Sequence, residues 1–170
     1  VWIGGTNGEI GKDSLTGTVT YLNGSGNVVD EIVQDFDIII NGQSVNSKNY
    51  NNILGGTLCY DIEEKTLKLK DGKSFEGALT ITAPEDVSID LEANASHVVN
   101  GNLTVTGAKD VKVTKLKGDD AAEEAIVAIN GKAEISCSGD VILKNLGGSS
   151  YRGRNLTRDG LTVNGANNVT

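Results

Sequence analysis

Along the second half of the chain, apolar and polar residues alternate in short blocks that recur. Residues 79–89 read LTITAPEDVSI, 103–113 read LTVTGAKDVKV, 133–143 read AEISCSGDVIL and 161–170 read LTVNGANNVT. Each block opens on an apolar residue, passes through Ile or Val to Thr, Ser or Asn, and reaches Asp or Asn followed by Val after a short variable stretch. Asp86, Asp110, Asp140 and Asn168 align at one position, and Val87, Val111, Val141 and Val169 at the next. The step from Leu79 to Leu103 is the shortest, and the steps on to Ala133 and Leu161 are both longer. Alternation with a period of two marks a half-buried strand. Glu76-Gly77, Asn100-Gly101 and Asn130-Gly131 precede the first three blocks at a constant offset, and Asp159-Gly160 precedes the fourth one residue closer. Such pairs supply the positive φ of tight turns. Each unit therefore predicts a turn, a strand, a bend and a second strand.

A unit this short cannot bury its apolar face alone, but stacked copies can. The recurrence predicts an all-β fold: a single-stranded right-handed parallel β-helix (a β-solenoid) over residues 37–170, with rungs starting near 79, 103, 133 and 161. Successive coils would lie about 4.8 Å apart, and parallel crossovers favour the right hand. A β-sandwich also uses short strands, but it predicts no fixed period and no Asp-Val at one phase. Residues 1–36 are expected to form a separate N-terminal β segment, a cap or the end of a preceding unit. The recurring Asp/Asn is expected to bond backbone amides at the bend. Lys109, Lys112 and Lys144 stand nearby to offset repulsion between stacked carboxylates. A metal-binding ladder is not expected, since the repeat lacks the ligand spacing of a Ca²⁺ loop.

The first half carries a different motif, present twice. Ile3-Gly4-Gly5 aligns with Ile40-Asn41-Gly42, and residues 15–21 (LTGTVTY) align with 54–60 (LGGTLCY). Each copy predicts a strand, a Gly turn, a polar excursion and a strand ending in Tyr. The second copy runs into Asp61–Leu69, where Leu67 and Leu69 alternate as in a hairpin. Ile40, Gly42, Leu54, Gly56, Thr57, Tyr60, Asp61, Thr66, Leu67 and Leu69, followed by the rungs from Leu79, resemble the adhesin-like or carbohydrate-binding-type β-helix repeat domains of secreted surface proteins of gut bacteria. The resemblance covers residues 37–170, with an echo in 1–21. It implies an extracellular, cell-surface location and a binding or structural role, and it transfers no catalytic residue. A start at Val1 is expected of a mature product or an excised piece, and an end inside a repeat at Val169-Thr170 of a terminal cap or of part of a longer multi-domain surface protein.

Composition and charge narrow the partners. Acids outnumber bases 23 to 15, for a net charge of −8, which repels phosphate backbones and anionic membranes. Nucleic acid is therefore not an expected partner. No apolar run approaches the roughly 18 residues of a membrane span, so no membrane insertion is expected. Cys59 and Cys137, far apart along the chain, lie in β-like segments and are expected to be buried free thiols. Stacked coils would hold them about 14 Å apart, beyond disulfide reach.

Candidate chemistry is sparse, and no catalytic residue, metal site or cofactor is implied. His97 is the single histidine, and nothing in the sequence places it beside a Cys or Ser, so a partly buried turn residue is expected. One His and two separated Cys offer no zinc spacing. Residues 118–125 (GDDAAEEA) interrupt the period and read as a solvated excursion with one helical turn. Residues 149–158 (SSYRGRNLTR) interrupt it again and hold all three arginines. Arg pairs carboxylates bidentately and Tyr stacks on sugar faces. Tyr151, Arg152 and Arg154 are thus the candidate ligand-binding residues, for a glycan or a host surface protein. The expected function is a non-catalytic extracellular bacterial surface domain, a structural spacer or a binding module. The alternative is a polysaccharide-degrading β-helix enzyme, a lyase or glycoside hydrolase, in which Arg152, Arg154 and Arg158 could serve.

Overall fold

The computed structural model describes residues 19–22, 28–116, 127–146 and 155–170. Strands dominate the described residues, and no α-helix occurs among them. β1 (Val19–Leu22) and β2 (Val28–Ile32) pair antiparallel with each other. β3 (Asp35–Ile40) and β4 (Gln43–Asn46) form a second antiparallel pair, and β5 (Leu58–Asp61) and β6 (Thr66–Leu69) a third.

Each of the four repeats then contributes three strands. They are β7 (Phe75–Glu76), β8 (Leu79–Thr82) and β9 (Ser88–Ala93) in the first, and β10 (Val99–Asn100), β11 (Leu103–Thr106) and β12 (Val111–Lys115) in the second. The third supplies β13 (Val127–Ile129), β14 (Ala133–Ser136) and β15 (Asp140–Asn145), the fourth β16 (Asn155–Thr157), β17 (Leu161–Asn164) and β18 (Asn168–Val169). Corresponding strands pair parallel. Leu79, Leu103, Ala133 and Leu161 share one column, Ile81, Val105, Ile135 and Val163 another. The second long sheet aligns Ile89, Val111, Val141 and Val169. Through the first three repeats these columns turn inward, and with Val98, Val99 and Ile129 they form one contiguous apolar core.

The expectation of a single-stranded right-handed parallel β-helix over residues 37–170 is overturned. Instead the chain forms three main sheets with mixed or parallel pairing, ordered β16-β13-β10-β7, β17-β14-β11-β8-β3-β4 and β18-β15-β12-β9-β6-β5. The antiparallel members come from residues 35–69. β3 and β4 are joined by Asn41-Gly42 alone, with φ of 48° and 81°. A two-residue connection can only return the chain antiparallel, and Asn-Gly is its strongest sequence signal. β3 then lies antiparallel on β8, while β6 joins β9 in parallel. Ahead of β5, Leu54–Gly56 form a 3₁₀ turn with positive φ at all three residues.

The repeat alignment also shifts in its first unit. Val111 pairs with Ile89, not with Val87. The bend between Thr82 and Ile89 is two residues longer than the bend between Thr106 and Val111. The extra length lies in the Pro84-containing bend, where the Val87 amide donates to the Pro84 carbonyl at 3.0 Å. Val87 is buried within that bend. Tyr60, which ends the second copy of the N-terminal motif, is buried and lies against Phe36 with ring centroids 5.1 Å apart.

Candidate functional site

Asn and Asp side chains link successive repeats along two lines. The Asn100 amide donates to Glu76 Oε2, and the Asn130 amide to Asn100 Oδ1, both at 2.7 Å. On the second line, Asp110 Oδ1 accepts the Asp140 backbone N–H at 2.8 Å, and Asp140 Oδ1 accepts the Asn168 amide at 2.8 Å. Repulsion between stacked carboxylates is thus relieved by hydrogen bonds more than by lysines. Lys109 stands 3.9 Å from Asp110, and Lys112 pairs instead with Asp90 at 3.0 Å. Asp86 lies outside this line because of the longer first bend, and it pairs with Lys65 at 2.8 Å. Among the described residues, no group of His, Cys, Asp and Glu could hold a metal ion.

The strands that flank the two period-breaking segments leave the second long sheet in one stack, after β9, β12 and β15. Lys115 pairs with Ala93 on one side and Asn145 on the other. Val127 pairs with Asn155. The chain therefore leaves β12 and β15 at adjacent positions and enters β13 and β16 at adjacent positions, one repeat apart; 118–125 falls in the first connection, while 149–158, read from sequence as one interruption, runs on into β16 at Asn155–Thr157. The root of the second is tied: the Asn145 amide donates to the Asn155 carbonyl at 2.8 Å, and the Leu146 N–H to the Lys115 carbonyl at 2.9 Å. The matching connection in the first repeat carries His97. Its Nδ1 lies 2.9 Å from the Val127 carbonyl, and its own carbonyl accepts the Ser74 hydroxyl at 2.8 Å. His97 is half-buried, and the Ser74 hydroxyl meets its backbone carbonyl, not its ring. Lys115 is fully buried at the end of β12, and Leu146 is exposed.

Tyr151, Arg152 and Arg154, the residues singled out from sequence, lie outside the described residues, as do Trp2 and the acidic segment 118–125. Arg158 is described and exposed, and its backbone N–H bridges the carbonyls of Ile129 and Gly131 at 3.1 and 3.2 Å. That the strands flanking both interruptions pair with each other was not read from sequence. The signal was present: each follows the second strand of its repeat, so stacking in register must bring their roots together.

The groups with displaced pKa values sit away from these connections. Asp61 is held below the usual carboxylate range by the Glu64 backbone N–H first and by Lys68 second, and Asp61 in turn raises Lys68. Lys65 lowers Asp86. Burial raises Tyr60 and the Cys137 thiol. Cys137 is a buried free thiol as expected, whereas Cys59 is only half-buried. Comparison with protein-family models, with curated proteins and with solved structures finds no match.

Proposed function

We propose that this chain is a non-catalytic, adhesin-like domain of an extracellular bacterial surface protein, in which the stacked repeats hold a binding segment at a fixed height. The observation that carries this reading is the shared root of the two insertions, set by the pairs Lys115–Asn145 and Val127–Asn155. Insertions are tolerated where a regular array turns a corner, and arrays commonly present their binding loops on one such face. The charged side chains along the sheets are paired locally, Lys68 with Asp61, Lys112 with Asp90 and Lys132 with Glu134, which suits a scaffold surface. Tyr151 and Arg152 supply the stacking and bidentate groups that a glycan or an acidic host protein surface would meet.

A glycan and host-protein array tests this. Wild-type protein binds at least one ligand class, and Tyr151→Ala or Arg152→Ala weakens that binding by about tenfold or more, as for a central contact residue. An array without hits, or hits untouched by both variants, overturns the assignment to this segment. Turnover of a pectin-like or host polysaccharide overturns the non-catalytic reading.

A further inference from the structure

We infer that Asn49 is an edge plug: its side-chain amide fills peptide positions on the outer side of β4 that an added strand would pair with, and so keeps a second copy of this chain from joining the sheet. β4 lies beside β3 at one end of the sheet β17-β14-β11-β8-β3-β4, the outermost of its described strands. An edge strand offers a row of N–H and C=O groups that recruits other chains unless something blunts it. In an antiparallel ladder alternate residues turn these groups to the same side, so Ser44 and Asn46 share one side of β4.

On that side the groups are taken. The Asn49 amide donates to the Ser44 carbonyl, and Asn49 Oδ1 accepts the Asn46 N–H, both at 2.8 Å. The Asn46 carbonyl accepts the backbone N–H groups of Asn49 and Tyr50 at 3.1 and 2.9 Å. An asparagine side chain carries one carbonyl and one amide, the same pair that a peptide unit presents. Asn49 thus stands where the backbone of a neighbouring strand would stand. Asn46 Oδ1 accepts the Lys48 N–H at 3.0 Å, which fixes the turn that carries Asn49.

The same device appears where β3 meets the first repeat. Leu79 pairs with Leu103, so Ala78 corresponds to Asn102 and Thr80 to Thr104. The Asn102 carbonyl accepts the Leu79 N–H of the preceding repeat at 2.9 Å. In the first repeat the Ala78 carbonyl accepts the Asn41 side-chain amide instead, at 3.0 Å, and Asn41 Oδ1 accepts the Thr80 N–H at 2.7 Å. The Asn41 backbone N–H completes the set, donating to the Thr80 carbonyl at 2.9 Å. An asparagine side chain therefore replaces strand backbone twice in succession, once against β8 and once on the outer side of β4.

Hydrogen exchange of the dilute chain and sedimentation equilibrium of the intact chain test this together. Asn49→Ala is expected to speed exchange of the Asn46 amide by about tenfold, as the loss of one hydrogen bond implies. In salt that screens the net charge of −8, the same variant is expected to associate at lower concentration than the unmodified chain. Ser44→Lys added to Asn49→Ala places a charge on the opened edge and is expected to abolish that gain while the Asn46 amide stays fast, since edge lysines oppose strand addition. The double variant separates an opened edge from an unfolded turn, which one lysine would not cure. An Asn46 amide as slow in Asn49→Ala as in the unmodified chain overturns the inference. So does a faster amide with no gain in association, or a gain that persists when Ser44→Lys is added.

Discussion

Gly101 stands where two backbones meet. A Cβ at this position would lie 2.5 Å from the carbonyl carbon and oxygen of Gly77, one repeat earlier. Gly131 faces Gly101 in the same way, at 2.8 Å. The Glu-Gly, Asn-Gly and Asp-Gly pairs before the blocks suggest a common need for positive φ, and Gly77 and Gly160 do adopt it, at 93° and 116°. Gly101 and Gly131 do not, and there the missing side chain serves close stacking. Gly101→Ala is therefore expected to cost about 1–3 kcal/mol through overpacking against rigid backbone. At Gly42, which has open space around it but a φ of 81°, alanine is opposed by backbone conformation alone. Urea denaturation of both variants separates the two effects, and wild-type stability of Gly101→Ala would contradict the close approach. A sequence reports that glycine is present at both kinds of site. It does not say which of the two reasons applies, because a neighbour in the preceding repeat supplies one of them.

The β5–β6 hairpin is pinned by charge as well as by its ladder. Asp61 meets Lys68 at 3.0 Å across the hairpin, and Lys65 in its turn meets Asp86 at 2.8 Å, which ties the hairpin to the first bend of the repeats. Both carboxyls are held below their ordinary range. A lowered carboxyl pKa stabilises the fold above the unfolded value of about 4 and stops doing so as pH falls through the folded one. Lys68, raised by Asp61, contributes below its unfolded value of about 10.4 and loses that contribution as pH climbs through the folded one. Stability is thus expected to fall below about pH 4, and Asp86→Asn is expected to flatten that acid slope. The pair is exposed, so at neutral pH the same variant should lose less than about 1 kcal/mol. Thermal melts from about pH 2.5 to about pH 7, chosen to bracket the roughly 3.9 of a free Asp, check this. An unchanged acid slope in Asp86→Asn would show that the contact with Lys65 does not hold in solution. The hairpin itself was readable from Leu67 and Leu69 alternating after Tyr60-Asp61. The Asn41-Gly42 reversal is as legible, since Asn-Gly between apolar runs signals a tight hairpin, although Ile40-Asn41-Gly42 also aligns with Ile3-Gly4-Gly5.

Across the whole molecule, each repeat contacts mainly the one before and the one after, and stability in such arrays grows with the number of neighbours. The third sheet runs β16-β13-β10-β7, and β16 touches one partner where β13 touches two. Hydrogen exchange of the dilute chain is expected to release β16–β18 first and β9 and β12 last, since local opening follows local contact. Equal protection of β17 and β11 would mean that the repeats open as one unit. Much of this arrangement was written in the chain. Leu-x-Val blocks with a common phase pair like with like, because a one-residue slip would turn every apolar side chain outward. The columns from Leu79 to Leu161 follow from that alone. Other features arose only on folding. The mixed sheets depend on β3 reaching β8 past the whole of β4 to β7, the longer first bend shifts Asp86 out of line, and the strands flanking two separate interruptions of the period pair with each other. A period along the chain records which residues are equivalent. Contacts between distant segments decide which of them meet, and those contacts form only once the sheets close around a shared core.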